Sequence, residues 1–108
     1  MYILNKNGSS LFKTEDFVEI SLVDETDRLK KLHPAIRGQY FVVRAYRELN
    51  NRNSSVTLAS YDEEAEAKEN YYAMIEAIGN NAEVFSFYPL NTDMMQERDM
   101  QNDMTLED

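Results

Sequence analysis

The sequence predicts an α+β domain: an antiparallel sheet of five to six short strands packed on one main amphipathic helix. Three observations predict it. Between Asp62 and Gly79, residues Ala67, Tyr71, Met74, Ile75 and Ile78 recur at spacings of three and four, the period of one helical face. Around it lie runs of period two, clearest from Gln39 to Arg47, where Phe41, Val43 and Ala45 alternate with Tyr40, Val42, Arg44 and Tyr46. Turn-forming clusters, Asn7-Gly8 and Leu49 to Ser54, separate these runs. A chain of 108 residues fits one domain with a single core. The domain is expected over residues 1–90, followed by a tail at 91–108.

Taken in order, Tyr2 to Lys6 and Ser9 to Lys13 flank Asn7-Gly8, a pair that accepts the positive φ angles of a tight hairpin turn. Phe17 to Val23 reads as a half-buried strand with Val18, Ile20 and Leu22 inward. Residues 24–38 break the pattern. Here a short helical turn begun at Thr26 or Asp27 would align Leu29, Leu32 and Ile36 and stop before Pro34. Arg28, Lys30, Lys31 and Arg37 crowd the same connection, which makes it a second candidate contact loop, since connections of this length are often functional. Ser55 to Ser60 should pair as a hairpin with the strand at 39–47. Asp62 then reads as the helix N-cap and Gly79, followed by Asn80-Asn81, as its stop. Val84 to Tyr88 is the last expected strand, closed by Pro89. If the apolar helix face is buried as spaced, Ile75→Asp should unfold the domain and Glu76→Ala should not.

Charge is the most informative bulk property. Residues 1–61 carry nine Lys/Arg and seven Asp/Glu, whereas residues 62–108 carry two and thirteen; the chain total is −9. The acidic half repels phosphates and attracts basic protein surfaces. From Asn91 to Asp108 come six acids, one Arg and four methionines without a core pattern, a composition expected to be mobile alone or helical against a partner. Acids in the first helical turn also favour the macrodipole, and Glu64 can pair with Lys68.

Catalytic chemistry finds little support. There is no cysteine, and the sole histidine, His33, stands in a polar loop before proline. Three glycines, far apart, do not make a phosphate-cradling loop. Asp93, Glu97, Asp99 and Asp103 lack the alternating ligands and central glycine of a calcium loop. No catalytic, cofactor or metal site is expected. Tyr40, Arg44 and Tyr46 would share a strand face able to stack bases, but the net charge opposes direct nucleic-acid binding. No run of about 20 apolar residues and no basic-then-apolar leader is present, so a cytoplasmic protein is expected.

Met-Tyr-Ile-Leu-Asn-Lys-Asn-Gly at 1–8, Phe-Val-Glu-Ile at 17–20, Tyr-Phe-Val-Val-Arg-Ala-Tyr at 40–46 and Leu-Ala-Ser-Tyr-Asp-Glu-Glu-Ala-Glu-Ala-Lys at 58–68 resemble short, largely uncharacterised α+β proteins of Gram-positive bacteria and their phages, over roughly residues 1–80. The resemblance implies a small sheet covered by one helix and transfers no catalytic residues. It also implies the association of small acidic phage proteins with inhibition of host defence enzymes, CRISPR nucleases among them. The expectation is therefore a non-enzymatic, anti-CRISPR-like inhibitor that mimics nucleic acid and blocks a basic surface. Its contact residues would be Glu63, Glu64, Glu66, Glu69 and Tyr72 on the helix, with Asp93, Glu97 and Asp99 in the tail. The alternative expectation is a structural or homo-oligomeric accessory protein using its sheet edge and tyrosines.

Overall fold

The computed structural model describes residues 1–48 and 52–89. It is an α+β arrangement of six strands and two α-helices, in the order β1 (Tyr2–Leu4), β2 (Leu11–Lys13), β3 (Glu19–Asp24), α1 (Thr26–Leu32), β4 (Phe41–Tyr46), β5 (Ser55–Tyr61), α2 (Glu64–Gly79) and β6 (Val84–Ser86). The strands do not join into one sheet as expected. They form two three-stranded sheets, β2-β1-β6 and β3-β4-β5. In the first, β1 pairs antiparallel with β2 and parallel with β6, a long-range pairing that joins the two ends of the described fold.

The first hairpin is wider than an Asn-Gly turn. Leu4 pairs with Leu11, leaving residues 5–10 as the loop. The buried side chain of Asn5 holds that loop, its Oδ1 accepting the N–H groups of Ser9 (3.0 Å) and Ser10 (3.1 Å). Only Gly8 takes a positive φ there, +75°, and a Cβ on it would lie 2.7 Å from the Tyr88 ring. A 3-10 turn at Thr14–Asp16 follows, so β3 begins at Glu19, two residues later than the alternation predicts. Phe17 packs against the core and beside Phe12, with centroids 6.0 Å apart, while Val18 is 53% exposed, the reverse of the expected facing.

In the second sheet β4 is the central strand, and its burial follows from that place. Phe41, Val43 and Ala45 point into the main core, and Val42, opposite Val23 and Ser60, is fully buried on the other face. A register shift beside Val43 and Arg44 marks a β-bulge that accommodates Leu58, so Leu58 and Ala59 are buried in succession. The carbonyl of Leu58 accepts the N–H of Lys6 at 2.8 Å, fastening the first hairpin to the outer edge of β5. Between β3 and β4, α1 occupies the start foreseen for the helical turn. Of the three residues expected to align, only Leu29 is half-buried; Leu32 is 67% exposed, and Ile36, beyond the helix, 40%.

Helix α2 lies against β3, β4 and β5. Ala67 and Met74 are buried and Tyr71 is half-buried, its hydroxyl donating to the Ile20 carbonyl at 3.0 Å. Ile75 and Ile78, expected inside, are each 45% exposed. The buried stripe is narrower than the apolar sequence pattern because Ala67 and Met74 centre the contact, leaving Ile75 on its flank and Ile78 at the helix end. The N-terminus differs from expectation, while the stop falls within the expected Gly79-Asn80-Asn81. Glu63, not Asp62, holds the N-cap position, without a side-chain cap bond. At the other end Gly79 stays helical, and the left-handed residue is Asn81, φ +56°. Asn81 N–H donates to Ile78 (3.1 Å) and Ala82 N–H to Ala77 (3.0 Å), the paired bonds of a Schellman cap.

Candidate functional site

The acidic helix face is built by position along α2. Glu66, Glu69, Tyr72 and Glu76 follow at spacings of three, three and four, so they share a side turned away from Ala67 and Met74. All four are exposed, as are Glu63 and Glu64 in the first turn. Tyr72, 59% exposed, stands on this ridge, its ring tilted against Tyr71 with centroids 5.9 Å apart. Among Glu63, Glu64, Glu66 and Glu69, only Glu64 has an ion-pair partner among the described residues, Lys68 at 3.6 Å. Asp93, Glu97 and Asp99 lie outside the described residues.

The basic connection is divided. Arg28 reaches back to Glu25 at 3.5 Å, whereas Lys30, Lys31 and Arg37 are exposed in and beyond the last turn of α1. His33 is exposed immediately after that helix. Arg44, which would have completed a stacking face with Tyr40 and Tyr46, is instead engaged by Glu25. Its Nη2 donates to Glu25 Oε1 at 2.8 Å and its Nε to Oε2, a bidentate pair across two elements. Glu25 is 8% exposed, and the carboxylate beside Arg44 raises the guanidinium's affinity for its proton. Arg44 Nη1 donates to Thr57 Oγ1 at 3.1 Å, so the N–H edge of Arg44 is taken up within the fold. Nineteen positions separate Glu25 from Arg44, and no local spacing announces the pair.

A second feature went unread in the sequence. The first half of α2, the end of β5 and residues 86–89 enclose a groove of about 470 Å³. Tyr61, 5% exposed, forms part of its lining, and the Tyr61 hydroxyl is buried without a hydrogen-bond partner among the described residues. Burial first, and the Glu66 carboxylate second, push that phenol up to about 12. Lys6 Nζ lies 3.9 Å from the Tyr61 ring centroid and donates to the Ser60 carbonyl at 2.5 Å. The one available signal was the alternation of β5, which continues through Ala59 to Tyr61 and places that ring inward.

Among the described residues no cluster of three or more His, Asp or Glu is placed to hold a metal ion, and no helix is long and apolar enough to cross a membrane. Comparison with protein-family models, with curated proteins and with solved structures returns no match.

Proposed function

We propose that this chain is a non-enzymatic, acidic protein-binding inhibitor that seats α2 on a basic, nucleic-acid-binding surface of another protein. In its sharper form the target is a host defence nuclease and the chain a phage-encoded, anti-CRISPR-like blocker. The observation that carries the proposal is the exposed ridge of carboxylates on α2, with Tyr72 raised among them. From Glu63 to Glu76 five carboxylates occupy roughly 20 Å of helix axis at 1.5 Å per residue. Lys68, paired with Glu64, leaves a net of four negative charges, about one per 5 Å against one per 3.4 Å along a DNA strand, and they are spread around the helix. A rigid helix holds these charges at fixed spacing without further ordering. Tyr72 adds an amphipathic contact of the kind that anchors interfaces.

The test begins with the partner recovered from the host and continues with its purified form. Affinity should fall steeply as salt rises between about 50 and 300 mM, because exposed charges are screened over a shortening Debye length. An oligonucleotide should compete, and Lys at positions 63, 64, 66 and 69 together should abolish binding. Binding that ignores salt, or survives the charge reversal, refutes the mechanism.

The homo-oligomeric reading draws on a different observation, the exposure of Tyr72, Ile75 and Ile78 along α2. Sedimentation showing a concentration-dependent mass, lost on Ile75→Glu, would favour it.

A further inference from the structure

The groove beside α2 has a chemistry of its own. Its helix rim carries two carboxylates, Glu66 and Glu69, against a single ammonium, Lys6. Tyr61, Phe87 and Tyr88 supply aromatic surface, and the Tyr61 hydroxyl is a buried polar atom that nothing in the described fold satisfies. Buried polar groups are ordinarily paired, so an orphan lining a groove marks a place for a ligand atom. The fold already shows which charge these walls accept. Lys6 rests its ammonium on the Tyr61 ring, with no carboxylate within 4.0 Å among the described residues.

We infer that this groove receives the guanidinium of an arginine side chain projecting from a basic partner. Glu66 and Glu69 accept its N–H groups at the rim, Tyr88 offers a ring to its planar face, and the Tyr61 oxygen accepts a further N–H while its own O–H turns toward Glu66. Arginine matches this set better than lysine, since it carries five donors in a planar fork and stacks on aromatic faces. Anions are disfavoured by the excess of carboxylate in the groove, Glu66 and Glu69 against Lys6. The inference rests on the reading of α2 as a docking face and specifies which side chain that face grips.

The test uses the full chain and a small probe, so it does not depend on knowing the partner. N-acetyl-arginine amide is titrated into isotope-labelled protein and followed by amide chemical shifts, with N-acetyl-citrulline amide as the uncharged isostere. Saturable shifts confined to Tyr61, Glu66, Glu69, Asn70, Phe87 and Tyr88, at least about tenfold weaker with citrulline, support the assignment. Glu66→Gln with Glu69→Gln should weaken the arginine probe by a similar factor, and Tyr61→Phe should weaken it several-fold with the thermal melt preserved. Equal response to both probes, shifts scattered along α2, or unchanged affinity in Tyr61→Phe overturns it. A basic partner bound through α2 while the probe leaves the groove silent defeats this inference alone. Probe binding in the groove, with an arginine-bearing partner whose affinity ignores salt and survives Glu63→Lys with Glu64→Lys, supports it and removes the electrostatic reading of α2.

Discussion

Met74 and Ile75 are neighbours on α2 that the sequence treats alike and the fold does not, which makes them a direct probe of how the helix is seated. Met74 is 2% exposed and belongs to the core with Ile3, Phe41, Leu58 and Phe87, whereas Ile75 is 45% exposed. Met74→Ala removes a fully enclosed side chain and leaves a cavity, at a cost of about 2–5 kcal/mol. Ile75→Ala forfeits roughly half the transfer energy of a buried isoleucine, about 1 kcal/mol. For a domain of this size each kcal/mol moves the midpoint by about 4–8 °C, so Met74→Ala should lower Tm by at least about 8 °C, and by well over 10 °C at the middle of its range, and Ile75→Ala by about 4–8 °C. The same geometry reverses the expectation from periodicity alone that Ile75→Asp unfolds the domain: the carboxylate can reach water, and a folded, weakened protein should result. Thermal and urea unfolding followed by circular dichroism measure both variants. Equal midpoints, or a larger loss at Ile75, would refute the seating of α2 on the Ala67–Met74 stripe.

Arg44→Met should destabilise by about 3 kcal/mol in urea titrations, because it leaves the Glu25 carboxylate enclosed without its principal counter-charge; adding Glu25→Gln should restore much of the loss. Gly8→Ala should cost about 1–3 kcal/mol, since φ is +75° and the new methyl would meet the Tyr88 ring, and Tyr88→Ala in the same chain should relieve only the clash. The Tyr61 phenol is held above its ordinary value of 10. Because the folded state disfavours ionisation, stability from this group is intact below pH 10 and is lost as pH rises toward 12. Ultraviolet absorbance should show one tyrosine of the seven titrating near 12, and its absence from that range would contradict the burial of the hydroxyl.

What the sequence determined by itself is local. Alternation in β4 put Phe41, Val43 and Ala45 on one face, spacing placed Ala67 and Met74 inside and turned Tyr72 toward the edge or solvent, Pro34 bounded α1, and the pairing of β4 with β5 followed from an intervening polar turn. Each depends on chain neighbours, where geometry is set within a few residues. The charge asymmetry and the exposed acids of α2 were legible for the same reason. Tertiary structure decided whatever depends on distant partners: the division of six strands into two sheets, the parallel pairing of β1 with β6, the Glu25–Arg44 pair, and the groove that gathers Lys6, Tyr61, Glu66 and Tyr88. It also decided how much of an apolar helix face is covered, which left Ile75 and Ile78 on its margin. Hydrophobicity says that a side chain gains by leaving water; only the packed neighbours determine whether there is surface for it to leave water against.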